Sequence, residues 1–131
     1  MEVLVEAEVR PTEDLDKVKR AVQRIFDGRL EVVEGADGWL FVRGSAQALR
    51  ALEPLKNLVL QQMIENAFVS YVRKNFSGLS ATIMLHKQAA YVGKISLLDS
   101  ERESPLGPIK VHIRGIGLED LVEYFCGSSC S

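Results

Sequence analysis

Lys110, His112 and Arg114 occupy alternate positions in Pro108-Ile109-Lys110-Val111-His112-Ile113-Arg114, with Ile109, Val111 and Ile113 between them. Successive side chains of an extended strand point to opposite faces, so the aliphatic set turns inward and the basic set outward. Two fixed cations with an imidazole between them suit contacts to phosphate and sugar. Lys94 and Ser96 form a similar set in Tyr91–Leu98, and Ser80, Thr82 and His86 alternate in the run before it. Paired strands with these sets aligned would place Lys94, Lys110, His112 and Arg114 on one basic sheet surface with hydroxyls between the charges. The plainer alternative is a solvated outer sheet face. Lys87 and Gln88, in His86-Lys87-Gln88-Ala89-Ala90-Tyr91, are further contact candidates, since neither packing nor a turn calls for that pair.

Catalytic and metal chemistry find less. His86 and His112 are 26 positions apart, and neither sits in a cluster with metal-ligand spacing. Gly115-Ile116-Gly117 is too short for a phosphate loop, and no serine lies in a nucleophile-elbow pattern. Glu101 or Glu103 with either histidine makes a hydrolytic site only if the fold brings them together. Cys126 and Cys130 lack neighbouring histidines, and a bridge between them would restrain only a tiny loop. We therefore expect no metal, no cofactor and a flexible tail over 126–131. Trp39 and Phe41 alternate with Leu40 and Val42, so both faces of their strand are apolar. One pair must cover the core; the other either stacks bases, packs beneath a helix or meets a second subunit.

Charge narrows the partners. The net charge is -2, yet residues 66–116 hold 7 Lys/Arg against 3 Asp/Glu, while residues 1–65 hold 9 against 12. A basic middle flanked by acidic ends can attract phosphate or an acidic partner. With 131 residues, 47% of them apolar and 26% charged, one folded domain over residues 1–125 is expected. No aliphatic run approaches the roughly 20 residues of a membrane span, and Met1-Glu2-Val3 opens directly into a strand pattern. The expected location is the cytoplasm, without membrane association.

The elements that must position these residues follow from periodicity. Val3, Val5, Ala7 and Val9 alternate with polar neighbours in a first strand that Pro11 ends. Thr12 is a candidate N-cap for a helix over 13–27, with Leu15, Val18, Ala21, Val22, Ile25 and Phe26 on its apolar face. Leu30–Val33 and Trp39–Val42 read as a hairpin, followed by a short helix over 46–53. Pro54 then opens a long core helix over 54–75. Strands are expected over 79–86, 91–98 and 108–114, and a final helix over 118–125. This order predicts an α+β fold of two layers, an antiparallel-rich sheet covered on one face by helices.

Several of these blocks recur together elsewhere. Val5-Glu6-Ala7-Glu8-Val9-Arg10-Pro11-Thr12-Glu13, Lys87-Gln88-Ala89-Ala90 with Gly93, and Glu103-Ser104-Pro105-Leu106-Gly107-Pro108-Ile109 appear in this order. In these blocks and in its core helix, the chain resembles the UPF0201 family of uncharacterised archaeal proteins, nearly throughout as far as Phe125. The resemblance implies a ribosomal-protein-L-five-like fold and a cytoplasmic RNA-binding role without catalysis. Family members carry arginines in the long helix, where this chain has Leu60 and Phe68. That departure moves the expected RNA contacts to Lys87, Gln88, Lys94, Lys110, His112 and Arg114. The alternative is a homodimeric scaffold joined through the open sheet or the Trp39/Phe41 strand. In the signature itself, Pro105, Gly107 and Pro108 are expected to shape the entry to the last strand, and Gly93 to allow close approach of chains.

Overall fold

The structure, a computed structural model, describes residues 1–104 and 106–127. In β1 (Glu2–Val9) the alternation is realised directly: Val3, Val5, Ala7 and Val9 are buried, and Glu2, Leu4, Glu6 and Glu8 face the other way. Asp14, not Thr12, caps α1 (Leu15–Gln23), its carboxylate accepting the Asp16 N–H at 2.9 Å. Ile25 and Phe26 stay buried past the last helical turn.

β2 (Leu30–Glu34) and β3 (Leu40–Ala46) make the expected hairpin. β3 runs on through Gly44 to Ala46, the residue at which the short helix over 46–53 was expected to begin. A Cβ at Gly44 would stand 2.6 Å from the Phe26 ring, so glycine lets that ring close against the strand. A 3₁₀ turn at Leu49–Leu52 then leads into α2 (Glu53–Gln61).

The long helix expected over 54–75 is two helices, α2 and α3 (Glu65–Lys74). They part at Met63, whose φ is 59°. Ile64 N–H donates to Val59 O and Met63 N–H to Leu60 O, the bond pair of a Schellman ending. Such endings normally place glycine in the left-handed position, so methionine there gives no sequence warning.

β4 (Phe76–Ser77) and β5 (Ser80–His86) turn through Gly78 and Leu79, both at positive φ. The strand expected over 91–98 is absent. His86 instead caps a short helix, α4 (Lys87–Tyr91), with its Nδ1 accepting the Ala89 N–H at 3.2 Å. Gly93, at φ 79°, ends that helix: Lys94 N–H donates to Ala89 O and Gly93 N–H to Ala90 O. The Ala89–Gly93 part of the signature is thus a helix and its left-handed cap, not a close approach of strands. Residues 92–98 run as an irregular segment tied to β5 by the Leu85–Leu97 bridge, the His86 N–H to Ser96 O bond and the Leu98 N–H to Met84 O bond.

β6 (Pro108–Arg114) and α5 (Leu118–Cys126) complete the chain. Cys126 is buried in α5 and belongs to the domain rather than to a tail. The rest of the expected tail past Gly127, the pairing of Cys130 and the role of Pro105 lie outside the described residues.

The strands order as β2-β3-β1-β6-β5-β4, every pair antiparallel. All five helices pack on the face carrying Val3, Val5, Ile83, Val111 and Ile113, where Phe26, Phe68, Phe125, Leu52 and Leu55 fill the core. The Phe68 and Phe125 rings meet at 4.7 Å between centroids. Among the described residues no α-helix covers the other sheet face, which only the 3₁₀ turn Glu101–Glu103 approaches through Glu101. The fold is therefore a two-layer α+β arrangement, as the element order required.

Candidate nucleic-acid interface

The open sheet face holds Lys110, His112 and Arg114 side by side, as strand alternation demands. Their cross-strand neighbours change what that means. β1 lies next to β6 and places Glu6 opposite Lys110, Leu4 opposite His112 and Glu2 opposite Arg114. Arg114 donates to Glu2 and Lys110 pairs with Glu101. One strand further, Arg43 donates to Glu6 at 2.7 Å, and Arg10 lies 3.0 Å from Glu8. Lys110 holds the Glu101 carboxyl below its usual range. His112 lies 3.3 Å from Thr82 Oγ1, and burial, then the Lys110 charge, pushes its pKa below the ordinary value. Arg10, Arg43, Lys110 and Arg114 thus each have a carboxylate beside them, and this part of the face is charge-matched rather than basic.

Trp39 and Phe41 also turn to this side, leaving Leu40 and Val42 to the core. Each ring is covered by a guanidinium: Arg10 at 4.6 Å over Trp39 and Arg43 at 5.5 Å over Phe41. Cation–π packing therefore gives the second apolar pair a place without a helix.

Lys87 is 3% exposed. Its Nζ donates to Glu8 O at 2.7 Å, to Leu106 O at 2.7 Å and to the Glu13 carboxylate at 2.9 Å. The second Glu13 oxygen lies 3.2 Å away. Burial draws the ammonium's pKa down, and Glu13 opposes that shift. Lys87 thereby ties the end of β1, the approach to α1, the start of α4 and the loop before β6 to one point. Its charge is turned inward and is not available at the surface.

Above Lys87, α4 packs along α1 and leaves two adjoining hollows of about 440 and 600 Å³. Tyr91 and Val92 border both. Thr12, Asp14, Lys17 and Gln88 line the first; Arg20, Gln23 and Arg24 line the second. Val92 is 63% exposed, an unusual place for a large aliphatic side chain. Arg24 reaches Gly93, with its Nη1 3.8 Å from where a Cβ would stand, and Lys94 follows exposed. The segment bearing Lys94 is held by Gln62, whose Oε1 accepts the Ile95 N–H at 2.6 Å. Among the described residues, Lys17, Arg20, Arg24 and Lys94 form no ion pair.

The expected single basic surface is therefore divided. Gln88 and Lys94 lie on the helical side with α1, Lys87 is buried beneath them, and Lys110, His112 and Arg114 lie on the opposite side of the sheet. The sequence reading passed over Lys17, Arg20 and Arg24. The available signal was their i, i+3, i+7 spacing on one helix, which a charge sum over residues 1–65 conceals.

Among the described residues no helix is long and apolar enough to cross a membrane. A protein-family profile described as RNA binding matches residues 2–115. A UPF0201 protein of Metallosphaera sedula is 43% identical over 122 residues, which cover 93% of this chain and 85% of that protein. One from Aeropyrum pernix is 33% identical over 123 residues, covering 93% and 82% respectively. The crystal structure of a UPF0201 protein from Methanococcus jannaschii matches with a TM-score of 0.83 at 29% identity, covering 95% of this chain and 98% of that one.

Proposed function

The chain belongs to the archaeal UPF0201 family, matched by a profile described as RNA binding, and from that premise we propose that it is a non-enzymatic RNA-binding module. The observation that carries the reading is the set of unpaired cations, Lys17, Arg20, Arg24 and Lys94, gathered where α1 meets α4. Unpaired surface cations can release counterions from a phosphate backbone without first breaking a protein ion pair. Gln88 and Lys94 keep the contact roles expected of them, and Lys87 acts beneath them as a positioning residue. Lys110, His112 and Arg114 are secondary in this reading, because Glu101 and Glu2 already meet the two fixed charges.

Absence of catalysis is part of the proposal. His86 is engaged as the cap of α4, and His112 faces Thr82 on the sheet. Filter binding to total cellular RNA over a salt series tests the binding. Retention should fall with salt at roughly 0.7 log units per log salt for each phosphate contact, near 3 in total for four contacts. The recovered RNA should run at unchanged length on a gel. Retention that ignores salt would overturn the phosphate-based reading, and shortened RNA would overturn the non-enzymatic one.

A further inference from the structure

We infer that the α1–α4 cleft takes an unpaired nucleotide of a single RNA strand, its base against Tyr91 and Val92 and its flanking phosphates on Arg20, Arg24 and Lys94. This rests on the RNA-binding reading above and names its substrate class. Gln88 and Tyr91 on α4 and Val92 at its C-cap stand at i, i+3 and i+4, so an amide, an aromatic ring and an exposed aliphatic group lie together. The ring is half-buried, and both hollows open on it. Hollows of about 440 and 600 Å³ fall within the usual range of small-ligand pockets, suited to a nucleoside rather than a helix.

Charge around the cleft is graded. Arg20 and Arg24 lie at one end, while Asp14 borders the other and caps α1 through the Asp16 N–H. Phosphate is favoured at the arginine end, whereas in the first hollow Asp14 offsets Lys17, which leaves that hollow to a neutral base. Gln88 can then donate to and accept from the base edge. A duplex fits poorly. Lys17 to Arg24 spans only about 10 Å along the helix axis, whereas a double-strand reader covers about 16 base pairs. A base stacked in a duplex also cannot reach a side chain in a cleft, so the apolar ridge would have no partner.

Fluorescence anisotropy at fixed low salt compares a short labelled oligouridine with the same strand annealed to oligoadenine. The single strand should bind at least several-fold more tightly. Tyr91→Ala should weaken single-strand binding roughly ten- to hundredfold, without changing the salt slope, because no phosphate contact is lost. Tyr91→Phe should restore it. Because Tyr91 also packs on the core, photo-crosslinking of wild-type protein to thiouridine-substituted strand gives an independent reading: the crosslink should map to residues 88–94. Equal affinity for strand and duplex, with a crosslink elsewhere, would overturn the cleft assignment while leaving RNA binding intact. Polyglutamate binding as tightly as RNA would overturn it in favour of a general polyanion surface. Failure of both RNAs to bind would instead remove the RNA-binding reading itself.

Discussion

The open sheet face, with Arg10, Arg43, Lys110 and Arg114, and the α1–α4 cleft, with Lys17, Arg20, Arg24 and Lys94, hold equal numbers of fixed cations and differ in what stands beside them. On the open sheet face, antiparallel pairing of the first and last strands sets Glu2 against Arg114 and Glu6 against Lys110, and Arg43 then takes Glu6. At the cleft, Glu13 binds buried Lys87 and Asp14 caps α1, and no carboxylate pairs with Lys17, Arg20, Arg24 or Lys94 among the described residues. Exposed ion pairs of the sheet type contribute about 0–1 kcal/mol to stability, yet they still cancel the local field an anion would feel. A residue's charge is therefore a poor guide to phosphate binding until its neighbours across the fold are known.

The largest expected effect falls at the junction between the sides. Replacing Lys87 by methionine leaves the part-buried Glu13 carboxylate with only the Arg10 N–H, and the carbonyls of Glu8 and Leu106 without the ammonium. Breaking a buried pair by removing one partner costs about 3–5 kcal/mol. Denaturant unfolding of Lys87→Met should show a loss of that order, and Lys87→Met combined with Glu13→Gln, which removes the charge but keeps an acceptor for the Arg10 N–H, should lose distinctly less. If Lys87→Met unfolds like wild type but binds RNA poorly, Lys87 is a contact residue and the division drawn between surface and support is wrong.

Next in size is the contrast between the arginine pair and the sheet pair. Arg20→Ala with Arg24→Ala should weaken RNA binding by about tenfold and reduce the salt slope by roughly 1.4, the value for two phosphate contacts on a single strand. Lys110→Ala with Arg114→Ala should change affinity by less than about twofold, since a paired surface charge adds little. Anisotropy titrations at several salt concentrations measure both. The reverse ranking would return the interface to the sheet.

How far the sequence led can be judged at the same residues. Alternation placed Val3, Val5, Ile109, Val111 and Ile113 inside and Lys110, His112 and Arg114 together outside, because a strand's period is a local property. The pairing of β1 with β6 is not local: the partners are separated by more than 100 positions, as in Glu2 and Arg114, and nothing in either strand names the other. Glu13 shows the same limit. It reads as a first-turn acid of α1, while its actual partner comes from α4. The helix over 54–75 was misread because methionine holds the left-handed break at Met63, and the strand over 91–98 because a histidine cap and Gly93 close a helix of one turn. Lys17, Arg20 and Arg24 were legible as a helix face, but their standing as unpaired charges depends on where α4 and β1 send the nearby acids.

The smallest expected effect gives the comparison an internal probe. His112 sits on the sheet face with its pKa pushed below the ordinary value, chiefly by burial and then by Lys110. Below the ordinary histidine value of about 6.5, the unfolded chain binds this proton more readily than the native one. Stability should therefore fall as pH drops through that value, and continue to fall until His112 is protonated in the folded state. The slope should be shallower in His112→Gln, measured by thermal unfolding against pH. The same titration acts on binding. Protonated His112 adds a cation beside Lys110 and Arg114, so affinity for RNA on the sheet face would rise on acidification in wild type relative to His112→Gln. Binding at the α1–α4 cleft, on the opposite side of the sheet, should show the same pH dependence in both proteins. A wild-type affinity that climbs with acid while the variant's stays flat would place the phosphates on the sheet, whatever the unpaired charges on α1 suggest.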